Sequence, residues 1–333
     1  RLRGKLEEGD IILHNHPYYG ASHTPDVLIA TPIFWEERLI GFSAVNAHLI
    51  DVGEAYPIYC IDVPDVWGEA RLYYALKIYE RGVKNEQLWT HILDNVRAPS
   101  LNEGDMLSMV AAVRRGKKRF LELVERYSVD TVMSAAYDWM DYSEKMFRRE
   151  VEKIPNGIYY AEGWVDDDAK NRNVPIKIAV TIQIEGSGVT VDFTGSSPEV
   201  LTAFNVPFDG STKVCAYFII RTIFLDEATY EEFVPQNQGF FRPIHVIAPK
   251  GSIFNPQFPR ACHTRFAQCM RAVDLIVKAF SNVIPQKINA GCSSIGISGF
   301  SGFVPEKQEY WACLLINPGC HGGRYGKDGM DSV

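Results

Sequence analysis

The sequence predicts an α/β or α+β protein, and three features support this fold class. Short apolar runs bounded by turn residues predict a mixed sheet region near the N-terminus. Apolar residues at three- and four-residue steps predict long helices between about residues 105 and 153. Isoleucines that alternate with polar or small residues then predict a β-rich segment at about residues 157–200. Alternating strands and helices are typical of α/β proteins, and separate runs of strands and of helices are typical of α+β proteins.

The composition is that of an ordinary globular protein. The chain has 333 residues, 46% of them hydrophobic and 23% charged, and we expect two regions, residues 1–155 and 156–333. The net charge of -7 argues against nucleic acid and anionic membranes as partners. Seven scattered cysteines without a Cys-x-x-Cys pair favour reduced thiols in a cytoplasmic protein. Because the chain opens on Arg-Leu-Arg, we expect an interior piece of a longer protein.

The first half of the chain is predicted to hold one hairpin followed by four helices. The hairpin joins strands at Val27–Ala30 and Leu39–Val45, with polar residues between them. The third helix is the clearest, because its methionines and valines share one face. The predicted helices are Glu69–Glu80, Glu86–Val96, Asp105–Tyr127 and Ser128 to about Lys153.

The second half is predicted to continue from the β-rich segment into mixed structure. Ile176, Ile178, Val180, Ile182 and Ile184 alternate as in a half-buried strand. The later predicted elements are a helix at Ser211–Leu225, a strand at His245–Ala248, a helix at Thr264–Val283 and glycine-rich loops at Gly291–Gly302. His263 and Arg265 at a helix start could face an anion, and capping or surface placement explains them equally well.

A loop near the N-terminus concentrates side chains that bind metal ions. His14, His16, His23 and Asp26 fall within 13 residues, among prolines and a glycine that exclude a helix. His48 ends the second hairpin strand, which returns it towards this loop. Imidazole and carboxylate suit zinc, manganese or iron. The alternatives are that these are turn residues with local hydrogen bonds and that His48 is a buried core histidine.

We therefore predict that the sheet region carries a divalent metal site. The predicted ligands are His16, His23, Asp26 and His48. Asp51 and His14 are near enough in sequence to serve as a base or to orient a ligand, and they are the predicted catalytic residues.

The same residues carry a family resemblance that extends along the chain. The opening Gly9-Asp10-Ile11-Ile12 and the pattern Asn15-x-Pro17-Tyr18-x-Gly20-x-x-His23-x-Pro25-Asp26 resemble the hydantoinase B/oxoprolinase family. Further matches are Ala47-His48-x-x-Asp51-x-Gly53, Asn95-Val96-Arg97, Gly104-Asp105-Met106, Val191-Asp192-Phe193-Thr194-Gly195-Ser196, Asn237-x-Gly239, Pro249-x-Gly251-Ser252-Ile253-x-Asn255-Pro256 and Gly322-Gly323-Arg324-x-Gly326-x-Asp328-Gly329. The position of His16 is more often Asp in the family, and Glu54 replaces a usual Gly.

The resemblance implies a B-type subunit of an ATP-dependent enzyme that acts on an activated carbonyl group. In that family ATP and Mg are held by an A-type subunit, which phosphorylates a small-molecule substrate or bicarbonate, and the B-type part completes the reaction. The chain itself has no Walker motif and no dinucleotide fingerprint, so a hetero-oligomer with such a partner is expected.

Three functions remain open at this point. The expected one is hydrolysis of a cyclic amide such as a hydantoin, oxoproline or lactam. The second is carboxylation of a ketone, of the acetone or acetophenone type. The third is a structural scaffold for a catalytic partner, in which a zinc would have four protein ligands and no open position.

Overall fold

The computed structural model describes residues 2–225, 232–293, 295–317 and 319–331. Its first half is built on an antiparallel sheet of five strands in the order β3-β2-β1-β4-β5. The strands are β1 (Ile11–His14), β2 (Asp26–Trp35), β3 (Arg38–His48), β4 (Leu76–Glu80) and β5 (Val83–Lys84). The mixed α/β architecture predicted from the sequence is confirmed.

The predicted hairpin is present, and both of its strands are longer than predicted. Strands β2 and β3 pair antiparallel along their whole lengths, and Asp26 lies directly opposite His48. Strand β2 is mostly buried, because β1 and β3 cover its two edges and a long helix packs on it. The register therefore places the start of β2 and the end of β3 side by side.

Two long helices end the first half of the chain. The helices of the first half are α1 (Val66–Glu69), α2 (Glu86–Leu93), α3 (Pro99–Tyr127) and α4 (Val129–Val151). Helix α3 begins earlier than predicted because Pro99 fits its first turn, where a backbone N–H is not needed. Ser128 caps α4, since its side chain accepts from the N–H of Thr131.

The second half is built on a four-stranded sheet in the order β6-β7-β8-β9. Its strands are β6 (Gly157–Val165), β7 (Ile176–Glu185), β8 (Gly188–Asp192) and β9 (Ile244–Ile247). The helices are α5 (Lys213–Phe224), which follows a π-helical turn at Phe208–Thr212, α6 (Gln238–Phe241) and α7 (Phe266–Ala279). The alternating isoleucines of β7 all point into one core beneath these helices.

Two of the sequence predictions are wrong. Glu69–Glu80 is not a helix: only its first residue ends α1, and Leu76–Glu80 forms β4. The apolar residues there pair with the free edge of β1, and such tertiary pairing overrides local helix propensity. Gly291–Gly302 is not all loop, because residues 296–304 form β10 (Gly296–Val304), which pairs with β11 (Glu309–Asn317).

The hydrophobic core falls into two large clusters. One contains buried residues between Ile11 and Val113, and the other contains buried residues between Met146 and Ile288. This distribution is compatible with a division near residue 155, which stays a prediction. Across the described ranges, every helix is too short or too polar to cross a bilayer.

Candidate metal centre

The first hairpin positions three of the predicted site residues. Asp26 is the first residue of β2 and His48 the last residue of β3, and the two are cross-strand neighbours. His23 lies in the turn before β2, where its carbonyl accepts the backbone N–H of Asp26 at 3.2 Å. A turn and a strand register, both read from local sequence, thus bring these side chains to one point.

The side chains of His23, Asp26 and His48 form a closed triangle of donor atoms. The Nε2 atom of His23 lies 3.1 Å from Nδ1 of His48 and 3.1 Å from Oδ1 of Asp26. Nδ1 of His48 lies 3.2 Å from the same carboxylate oxygen. The exposed fraction of the side chain is 6% for His23, 16% for Asp26 and 36% for His48, so the group is open to solvent on the His48 side.

The three atoms fit a cation better than they fit hydrogen bonds among themselves. Each imidazole nitrogen carries at most one proton, and an ionised carboxylate carries none, so protons cannot satisfy all three contacts in a closed triangle. A divalent ion accepts a lone pair from every member at once. Within the described part of the chain, His23, Asp26 and His48 are the histidine, cysteine or acidic side chains that lie close enough together to hold a metal ion.

The size of the triangle also suits a metal ion. Ligand bonds of about 2.1 Å place neighbouring donor atoms about 3.0 Å apart at right angles and about 3.4 Å apart in a tetrahedron. The observed separations of 3.1, 3.1 and 3.2 Å lie between these values. Two histidines and one carboxylate on one face leave the opposite positions open to another molecule, as in catalytic sites.

Two further side chains orient the carboxylate of Asp26. The hydroxyl of Ser22 donates to Oδ2, and Nη2 of Arg265 lies 3.5 Å from the same atom. Arg265 is fixed by Ser211, whose hydroxyl accepts from Nε at 3.1 Å and donates to the carbonyl of Ser22 at 2.9 Å. These contacts leave Oδ1 facing the two histidines.

The charge environment keeps the ligand groups ready to bind a cation. Burial raises the pKa of Asp26, but hydrogen bonds from His23 and His48 and the positive Arg265 outweigh it and hold that pKa well below its usual value. Burial, and then Arg265, lower the pKa of His23 to about 4. At neutral pH the carboxylate is therefore ionised and the ring of His23 is neutral, which are the states that ligate metals.

The fourth predicted ligand, His16, lies outside the group. Its ring packs among aromatic side chains, with centroids 4.7 Å from Tyr19, 5.6 Å from Tyr74 and 5.8 Å from Phe258. Burial lowers its pKa to about 4, with a smaller contribution from His14. The residue is in the adjacent turn, but its surroundings are those of a packed aromatic ring.

The side chains of the two predicted catalytic residues are engaged in contacts outside the triad. Nε2 of His14 lies 3.2 Å from the carbonyl oxygen of Tyr19. The carboxylate of Asp51 accepts the backbone N–H groups of Gly53 and Arg97 and lies 3.5 Å from the Arg97 guanidinium. Beside it, burial and hydrogen bonding to Asp51 raise the pKa of Glu54 to about 8. These contacts shape the loop that follows His48.

His263 and Arg265 lie beside the triad, although the sequence alone assigned them to no site. The ring of His263 is edge-on to that of His23 at 5.2 Å, and its exposed fraction is 1%. Arg265 contacts Asp26, so the surface placement considered for the pair is wrong. The available signal was a histidine and an arginine at a helix start, and no local pattern indicates that they meet a distant loop.

Comparison with known proteins agrees with the resemblance read from the sequence. A family model described as Hydantoinase B/oxoprolinase matches residues 1–333. The putative B-type subunit of a D-/L-hydantoinase from a Pseudomonas species is 42% identical over 98% of this chain and 56% of its own length. The beta subunit of the caprolactamase of Pseudomonas jessenii is 25% identical over 94% of this chain and 53% of its own. The chain thus spans about half the length of these curated relatives.

Solved structures share the fold at lower sequence identity. The ATP-dependent caprolactamase from Pseudomonas jessenii superposes with a TM-score of 0.88 at 23% identity, covering 98% of this chain and 56% of that one. A nucleotide-free acetone carboxylase superposes with a TM-score of 0.86 at 19% identity, covering 99% of this chain and 45% of that one. At these identities the likeness establishes the fold alone.

Proposed function

This chain belongs to the hydantoinase B/oxoprolinase family, and from that premise we propose that it is part of the B-type subunit of an ATP-dependent enzyme that opens a cyclic amide. The substrate class is a hydantoin, an oxoproline or a lactam. The site is the group formed by His23, Asp26 and His48, which would hold one divalent ion of zinc, manganese or iron.

One observation carries the proposal of a reaction centre here. Three donor atoms from a turn and two paired strands lie 3.1 to 3.2 Å apart, with orienting contacts to the one carboxylate of the triad. A structural zinc takes four protein ligands and leaves no position open, whereas the described residues offer three. This difference favours a reaction centre over the scaffold alternative.

The residues of this chain have distinct parts in the proposed reaction. His23, Asp26 and His48 would hold the ion, which would polarise the reacting group and lower the pKa of a water molecule to about 7. Arg265 and Ser22 keep Asp26 turned towards the histidines. The half-exposed His48 leaves one side of the group accessible to a substrate from solvent.

ATP would be bound by a partner subunit. We assign the phosphorylation of the amide oxygen to an A-type subunit, because relatives are named as the B or beta subunits of hydantoinase and caprolactamase. One water then adds to the activated carbon, the carbon–nitrogen bond breaks and the nitrogen takes a proton, which leaves an acyl phosphate. A second water adds to the acyl carbon, and phosphate leaves with the oxygen that it had activated to give the carboxylate. This chain would act after the phosphoryl transfer.

The test supplies the complete complex with ATP and two panels, cyclic amides and small ketones, with labelled bicarbonate present. We expect ring opening without incorporation of label, and no product from Asp26→Ala while phosphoryl transfer by the partner persists. Incorporation of label into an acid product, with the amides untouched, would replace hydrolysis by ketone carboxylation. An Asp26→Ala complex that opens the ring at the wild-type rate would remove the triad from the reaction.

A further inference from the structure

His263 is buried beside the triad with its polar atoms unused. Among the residues that the structure describes, neither Nδ1 nor Nε2 of its ring has a hydrogen-bond partner. The ring lies edge-on to His23 at 5.2 Å and to Tyr59 at 5.1 Å. A neutral imidazole has one donor and one acceptor, and burying both unpaired costs free energy. The ring is therefore kept here at the expense of stability.

The position of His263 is fixed through its backbone. The carboxylate of Glu69, at the end of α1, accepts the backbone N–H groups of both Cys262 and His263. The next residue, Thr264, donates its N–H to the carbonyl of Ala203 at 2.8 Å. Three hydrogen bonds from two distant segments thus hold the main chain, and the ring contributes none of them.

The ring stands close to the triad without belonging to it. The three ligand atoms lie within 4.8 Å of one another, and His263 is not in that group. The ring nitrogens of His263 are thus too far from the three ligand atoms to act as a fourth ligand, yet the ring contacts the ring of His23. A molecule bound on the open side of the triad needs hydrogen-bond donors for the oxygen on which charge develops. His263 has an N–H in either tautomer.

We propose that His263 is a catalytic residue whose ring N–H donates a hydrogen bond to the carbonyl oxygen of the acyl phosphate that forms from the cyclic amide at the triad. The inference rests on the proposed function and deepens it. It assigns to His263 the stabilisation of the oxygen, while His23, Asp26 and His48 hold the ion. One ring nitrogen, which has no partner among the described residues, becomes paired when this group is bound at the triad.

Three variants separate this role from packing. His263→Phe keeps an aromatic ring of similar size and loses the N–H. His263→Asn and His263→Gln keep an amide N–H near the place of Nδ1 or Nε2. In the full-length protein with its ATP-binding partner, we expect His263→Phe to lower kcat about 100- to 1,000-fold with little change in KM. At least one amide variant should be clearly faster than His263→Phe, and all three should keep the wild-type metal content.

A stability measurement tests the same proposal without a substrate. Because the ring nitrogens have no partner in the described part of the chain, His263→Phe should melt at the wild-type temperature or above it. The matched control is His245→Phe on β9, where the histidine is exposed and lies outside the triad, and its kcat should not change.

The outcomes separate failure of this inference from failure of the proposed function. A His263→Phe complex with wild-type kcat, or amide variants slower than His263→Phe, would show that the ring only packs. Loss of metal from all three variants would make His263 a ligand instead, and a lower melting temperature for His263→Phe would show that its nitrogens are already paired. A wild-type complex inert towards every cyclic amide would overturn the proposed function, and this inference with it.

Discussion

Glu69 gives the protein a pH-dependent stability that one substitution should remove. Its side chain is fully buried, and burial raises its pKa to about 8, against an ordinary value of 4.5. The carboxyl group accepts the backbone N–H groups of Cys262 and His263, so it joins the two halves of the protein beside the triad. Glu69→Gln keeps an oxygen for those N–H groups and cannot ionise.

The sign and size of the effect follow from the two pKa values. Because the folded-state pKa is raised, the folded protein retains a proton that the unfolded chain has lost. Stability from this group is thus complete below about pH 4.5 and falls as the pH rises to about 8. Between pH 5 and pH 8 the loss is about 3.5 kcal/mol at 1.36 kcal/mol per pH unit, after allowing for partial titration at both ends.

The assay is urea unfolding of the wild type and Glu69→Gln at pH 5 and at pH 8. We expect the free energies of unfolding to be similar at pH 5 and the variant to be more stable at pH 8 by about 2 to 4 kcal/mol. Glu125→Gln on the exposed face of α3 is the control and should change neither value. An unchanged difference between the two pH values would refute the assignment of a protonated Glu69 in the folded protein.

Three other changes test the packing around the site and the cores. Asp10→Asn should lower the free energy of unfolding by about 3 to 5 kcal/mol, because Asp10 is fully buried and its Oδ2 lies 2.7 Å from Nζ of Lys77. The pKa of Asp10 is lowered, so the wild type should lose this contribution only as the pH falls below 3.8, which urea unfolding at a series of acid pH values measures. Gly210→Ala should weaken metal binding in a calorimetric titration, since its new Cβ overlaps the carbonyl of Ala21 in the triad loop; Gly104→Ala, with no atom within 4 Å, is the control. Phe193→Ala should lower the free energy of unfolding by about 3 to 5 kcal/mol, because Phe193 is fully buried and stacked on Phe254 at 4.5 Å; a loss below about 1 kcal/mol would contradict this packing.

Local signals in the sequence were sufficient for the hairpin and the long helices. Short stretches of sequence show the proline at the start of α3, the serine at the start of α4 and the single apolar face of α3. The same holds for Asp26 and His48, because two strands joined by a short turn pair in a register that their alternation determines. The sequence therefore predicted which side chains of the hairpin meet.

Contacts between distant segments were beyond such signals. Leu76–Glu80 has an apolar pattern that fits a helix, and it becomes a strand because β1 offers a free edge. His16 lies in the same loop as His23, which suggested a ligand, yet Tyr19 and Tyr74 form an aromatic cluster around its ring. His263 reaches the triad only because Glu69 binds its backbone. None of these outcomes is encoded in local spacing.

The metal content of the purified protein tests the central claim most directly. Elemental analysis should find one divalent ion per chain in the wild type, and His23→Ala, Asp26→Ala and His48→Ala should each lose it, because each removes one corner of the triangle. His16→Ala and the exposed His245→Ala should retain it, as neither side chain belongs to the group. Unchanged metal content in both His23→Ala and Asp26→Ala would contradict the account.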